Sequence, residues 1–119
     1  MMTDVGLNLI RGFLNGDSPS PPSHMAVGTG TSGEQASDTA LESEVLRNAI
    51  TKELSDTAGV IDYKMILAST DANGNAISEL GLLNAASGGD LVIRITHLPY
   101  NKTSSFAVKY RIRQTLQSI

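Results

Sequence analysis

The chain contains no cysteine and no tryptophan. The first absence removes disulfides, thiolate nucleophiles and Cys-based zinc sites, and it leaves the redox compartment unread. Aromatic residues make up only 4% (Phe13, Tyr63, Tyr100, Phe106 and Tyr110). A stacking platform for bases or sugars therefore has little to draw on, and the core must be aliphatic. No apolar run approaches the length that spans a bilayer. Met1-Met2-Thr3-Asp4 lacks the basic region of a signal peptide, and Asn8 and Arg11 interrupt the apolar stretch behind it. A soluble intracellular product with no membrane partner is expected. Positive charge is also scarce, with 9 Lys and Arg against 12 Asp and Glu and a net charge of -3. That balance disfavours nucleic acid as a partner, because displacing counterions needs a positive field.

What is present fits one small domain. At 119 residues the chain is well below the roughly 250 at which single cores split. With 40% hydrophobic and 18% charged residues, it has enough apolar surface to fold. Val5, Leu9 and Phe13, joined by Ile10 and Leu14, repeat at helical spacing between a Thr3 or Asp4 cap and the Asn15-Gly16 stop. Asp17-Ser-Pro-Ser-Pro-Pro22 follows as a stiff, extended link. The expected division is an N-terminal helical arm over 1–16, a Pro/Ser-rich connector over 17–23 and a β-sandwich domain over 24–119. His24–Gly28 reads as a short strand. Thr39-Ala-Leu-Glu42 fits a capping box, and Leu41, Val45, Leu46 and Ile50 continue a helix-like spacing, so a short helix is expected near 40–48.

From Val60 the period changes to two. Ile61, Tyr63, Met65 and Leu67 form one alternating set, Leu91, Ile93 and Ile95 a second, and Phe106, Val108, Tyr110 and Ile112 a third. Asn73-Gly74 and Ser87-Gly-Gly89 suit tight turns, so successive strands are expected to pair as antiparallel hairpins. The fold class is mainly β, a small antiparallel sandwich with those two short helices.

Motifs for catalysis or cofactors fail in their context. Gly28-Thr-Gly30-Thr-Ser-Gly33 spells the dinucleotide fingerprint, but Glu34-Gln-Ala-Ser-Asp38 behind it reads as loop where a crossover helix is required. His24 and His97 are far apart and outside any metal-ligand spacing, and no nucleophile elbow occurs. Glu42 and Glu44 lie two apart and would diverge on a helix. No enzyme activity, cofactor or metal is expected.

Charge distribution says more. Residues 1–56 hold eight acids against three cations, net -5, and residues 57–119 hold four against six, net +2. Lys109, Arg111 and Arg113 share one face of the last strand. That face is either simply solvated, a phosphate contact or a complement for an acidic neighbour.

Three ordered segments carry a resemblance. His24-Met-Ala-Val-Gly-Thr-Gly30, then Ser37-Asp-Thr-Ala-Leu-Glu-Ser-Glu-Val45, then Ile77-Ser-Glu-Leu-Gly-Leu-Leu-Asn84, with Lys102-Thr-Ser104 as a closing strand entry, resemble the tail-fibre or tail-collar N-terminal domain family of tailed bacteriophages and its small free-standing virion relatives. The likeness covers roughly residues 20–119. Leu83 replaces the usual aromatic of the glycine-leucine strand, and no fibre shaft is expected after Ile119. The resemblance thus implies an adaptor, anchor or collar-type subunit and no catalytic residues. The expected function is a noncatalytic virion structural protein, made in the host cytoplasm, attaching fibres or joining components of the tail, baseplate or neck. Its partners would be other virion proteins, and it would form a homo-oligomer within a symmetric assembly. A capsid decoration or head-fibre anchor protein and a carbohydrate-binding receptor module are the alternatives. The expected contact residues are Leu7, Ile10, Phe13 and Leu14 on the arm and Lys109, Arg111 and Arg113 on the last strand.

Overall fold

The computed structural model describes residues 1–118; Ile119, the last residue of the expected sandwich domain, lies outside them. Helix α1 (Asp4–Leu14) is followed by β1 (His24–Gly28), β2 (Glu44–Ala49), β3 (Thr51–Leu54), β4 (Val60–Leu67), β5 (Ala76–Leu83), β6 (Leu91–Asn101) and β7 (Val108–Thr115). The strands form two sheets, β2-β1-β5-β6 and β3-β4-β7, here sheets A and B, and every neighbouring pair is antiparallel. Strand β7 alternates more and less exposed residues, whereas β1 and β5 are buried on both faces. Met25, Val27, Leu80 and Leu82 from sheet A meet Tyr63, Met65, Leu67 and Ile112 from sheet B in one core. Each such side chain contributes about 1.5–3 kcal/mol by leaving water. The fold is a small β-sandwich.

The N-terminal helix starts where expected. Buried Thr3 caps it, accepting from the Gly6 amide at 2.9 Å while its hydroxyl donates to the Leu91 carbonyl at 2.6 Å. The same side chain therefore begins the helix and ties it to β6. Gly6 permits the close approach, because a Cβ there would stand 2.5 Å from the Val92 carbonyl oxygen. Leu9 packs against the core, so α1 rests on the sandwich and does not stand off on its connector. Met1–Thr3 run along the free edge of β6, with Arg94 N donating to Met1 O and Thr3 N to Val92 O, each at 3.0 Å.

Two expectations are corrected. The segment near 40–48 is not a helix: Leu41 sits in coil and Glu44–Ala49 is strand β2, paired with β1. Leu41 is buried on the outer face of sheet A with Ala26, Leu83 and Leu91, while Val45 is left exposed. The apolar residues answer to two different partners and not to one helical stripe, and sheet pairing overrides the local pattern. Glu42 caps no helix; its carboxylate accepts from the amides of Thr31 and Ser32. The Asp71–Asn75 turn joins no hairpin either, because β4 and β5 lie in different sheets. Ser87-Gly-Gly89 does connect a hairpin, β5 with β6.

Candidate functional site

Glycines from the fingerprint-like loop meet a carboxylate of the chain itself. Glu79, fully buried on β5, accepts from Gly30 N at 2.9 Å, Glu42 N at 2.9 Å and Ser43 N at 2.8 Å. A Cβ on either Gly28 or Gly30 would stand 2.5 Å from its Oε2. Arg94 on β6 donates from Nε to Glu79 Oε1 at 3.1 Å, and its other nitrogens reach Asp38 and the carbonyls of Ser32 and Gly33. Burial alone would raise the Glu79 pKa, but the three amides and the guanidinium outweigh it and hold the carboxyl below its ordinary range. The loop amides that would cradle a phosphate in a nucleotide site are thus already filled by Glu79 and Glu42. Segment 29–43 covers the outer face of sheet A by this means.

The outer face of sheet B carries no such cover. Register places Glu53, Asp62 and Arg113 in one row, Thr51, Lys64 and Arg111 in the next, and Ile66 beside Lys109 beyond them. Arg113 binds Asp62 with both ends of its fork, at 2.9 and 3.1 Å, and Lys64 reaches Glu53 at 2.7 Å. The Arg113 hydrogen bond holds the Asp62 carboxyl below its ordinary value against burial, and the charges of Arg113, Arg111 and Lys64 add to that effect. The side chains of Lys109 and Arg111 make no hydrogen bond or ion pair among the described residues. A groove of about 630 Å³ bordered by Asn48, Thr51, Lys64, Ile66, Lys109 and Arg111 opens on this face.

The expected contact residues fall on two surfaces. Lys109, Arg111 and Arg113 are all exposed on β7, but only the first two have open charges. Leu7, Phe13 and Leu14 are exposed on α1, the last two at 69% and 78%. Ile10 is half-buried and, with Phe13, Pro19, Pro22, Ile61 and Leu116, lines an apolar cleft of about 270 Å³ at the end of the sandwich where β7 finishes. The structure does not join the apolar arm to the cations.

Sequence reasoning missed two groupings. Glu79 and Arg94 are charged residues inside apolar strand runs, which is the signal that would have exposed the buried pair. At the opposite end of the sandwich, His97 stacks on Tyr100 with centroids 5.7 Å apart, and Tyr110 and Phe106 close the cluster. The hydroxyls of Tyr100 and Tyr110 bond each other, and burial and that bond push the Tyr110 phenol far up. Lys102 is buried below, donating to Asn73 Oδ1 at 2.9 Å with its ammonium 5.4 Å from the Phe106 ring centre. The aromatics that sequence separates are thus brought together, but they engage one another.

For chemistry, Ser23 Oγ and His24 Nδ1 lie 2.8 Å apart, and no carboxylate bonds the other ring nitrogen among the described residues. No group of three or more His, Cys, Asp or Glu converges for a metal among those residues, and none of their helices is long and apolar enough to cross a membrane. Three of the segments that carry the resemblance are neighbours in space, and Lys102-Thr-Ser104 lies apart from them beside Asn73. Ala26 pairs with Gly81 across β1 and β5, Leu41 lies over Gly81, and Glu79 holds the intervening loop. Compared with known proteins, the sequence matches no family model and no curated protein, and no solved structure matches the chain.

Proposed function

We propose that this protein is a noncatalytic structural subunit of a tailed-bacteriophage particle, attaching fibres or joining components of the tail, baseplate or neck through protein–protein contacts. The observation that carries the interaction reading is the set of apolar side chains held in water on a docked helix, Leu7, Phe13 and Leu14, with the last two among the most exposed apolar residues described. Solvated apolar residues clustered beside a cleft mark a surface built to be covered. The phage assignment rests on the ordered motifs, and their convergence on β1, β5 and the covering loop gives them a shared physical task. Copies of the chain and other virion proteins are the partners in this reading, with no cofactor required.

Mass spectrometry of purified particles from the encoding genome should find the chain, and antibody labelling should place it on the tail, baseplate or neck. Absence from the particle overturns the proposal. Label on the capsid selects decoration or head-fibre anchoring instead. Phe13→Ser with Leu14→Ser should leave the purified protein folded, as read by circular dichroism, and reduce its incorporation at least tenfold; normal incorporation removes the arm from the contact set.

A further inference from the structure

The two sheets end differently on the side away from β2 and β3. In sheet A the last strand, β6, is sealed: Met1–Thr3 bond its backbone at Val92 and Arg94, and the Glu34 carboxylate accepts from Thr96 N at 2.9 Å. In sheet B the last strand, β7, pairs with β4 over its 8 residues without a bulge. Its other edge is open, since no backbone group of Val108–Thr115 bonds anything besides β4 among the described residues. A regular, unpaired edge of this length is a template for another strand.

We propose that β7 receives an extended acidic segment of another protein as an added strand of sheet B. This deepens the interaction-subunit reading and rests on it. Charge selects the occupant. In an antiparallel pair, directly opposed residues share a face, so a strand laid against β7 places alternate side chains beside Lys109 and Arg111, whose charges are open. A second β7 would bring cation against cation and is repelled, which removes the simplest homodimer. Among the described residues, no other part of a second copy offers a suitable strand. Asp38 and Glu79 are held by Arg94, Glu42 by the loop amides, Glu44 by Arg47 and Glu53 by Lys64. Asp62 is held by Arg113, and Asp4, Asp17, Glu34, Asp56, Asp71 and Asp90 all lie outside the strands. The same cations that guard the edge against self-pairing therefore admit a segment that alternates acidic with β-branched residues.

The test uses the full chain and a synthetic peptide of about eight residues alternating Glu with Val and Thr. The peptide should bind, and binding should slow amide hydrogen exchange within Val108–Thr115. Lys109→Glu with Arg111→Glu, two exposed positions, should weaken it at least tenfold while the circular dichroism spectrum is unchanged, and the reversed protein should prefer a peptide with Lys in place of Glu. Methylating alternate peptide nitrogens on the pairing side should abolish binding. Equal binding of the methylated peptide would mean that the face attracts acids without adding a strand, and the proposal fails. It also fails if the peptide does not bind, or if the protein alone dimerises through β7 in sedimentation. Particle composition is untouched by these outcomes, so loss of this proposal is distinct from loss of the structural-subunit reading.

Discussion

Sheets A and B each carry one acid–arginine pair on adjacent strands, and the two pairs have opposite settings. Glu79 and Arg94 lie beneath segment 29–43, with side chains at 0% and 2% exposure, and no buried side-chain nitrogen or oxygen among the described residues lacks a partner. Asp62 and Arg113 lie on a face without such a cover, where the Asp62 side chain is 8% exposed but the Arg113 side chain is 51% exposed. The same chemistry thus does two jobs. Under cover it pins a long loop to the sheet, because leaving any member unpaired in a dry site is costly. On the uncovered face the arginine end is half in water and its pairing is screened, so the pair sets register and charge pattern more than stability.

The sharpest way to break the comparison is to remove the buried acid. Glu79→Ala takes the acceptor from buried Arg94 Nε, whose other nitrogens keep Asp38 and the Ser32 and Gly33 carbonyls, and frees the amides of Gly30, Glu42 and Ser43. A loss of about 3–5 kcal/mol is expected, as for other buried pairs broken on one side, measured by urea unfolding. Proteolysis should then cut first within 29–43. If Asp62→Ala costs the same, cover is not what separates the two sheets. Filling the loop's closest approach has the next effect. Gly28→Ala would drive a Cβ to 2.5 Å from Glu79 Oε2 and against the Ser43 carbonyl, for a cost of about 1–3 kcal/mol by overpacking.

Acid titration sharpens the same contrast. The folded Glu79 carboxyl lies below its ordinary value of 4.5 and the folded Asp62 carboxyl below 3.8. A depressed folded pKa binds fewer protons in the native state than in the unfolded chain. Its contribution is complete above the unfolded value and is lost as pH falls through the folded one. Stability should therefore decline on acidification below about pH 4.5. Glu79→Gln should flatten that decline, as read by melting temperature against pH, and Asp62→Asn should leave most of it. A decline unchanged in Glu79→Gln would assign acid sensitivity to other carboxylates.

The contrast between the sheets also marks what sequence could and could not disclose. Strands β4 and β7 are legible because each largely alternates a wetter and a drier side, β6 is legible from its apolar alternation although Leu91–Arg94 are buried on both faces, and α1 is legible from its Thr3 cap and apolar stripe. Segment 39–48 misleads because Leu41 is buried by the outer face of sheet A while Leu46 and Ile50 turn to the core. Residues serving two surfaces mimic a helical period that neither surface requires. The Asn73-Gly74 turn is legible as a turn, but whether a turn closes a hairpin or crosses between sheets depends on partners far away in sequence. Lys109, Arg111 and Arg113 were placed on one face correctly by period two. That Arg113 is already engaged, and that Glu79 fills the glycine loop, depends on contacts from strands distant in the chain.

The smallest change should have the most selective consequence. Asp62→Asn keeps the shape of the side chain but removes the charge that holds the Arg113 fork. Because the arginine is half in water, its release is compensated by hydration, and the melting temperature should move only marginally. Arg113 then joins Lys109 and Arg111 as a third open cation on the strand. Binding of the alternating Glu peptide should strengthen severalfold, with a steeper dependence on salt, since each added exposed cation raises long-range attraction and its screening together. An isothermal titration at two salt concentrations reads both quantities. If affinity falls instead, Arg113 contributes to the surface through its pair with Asp62, and the acidic segment recognises a fixed fork in place of a row of free charges.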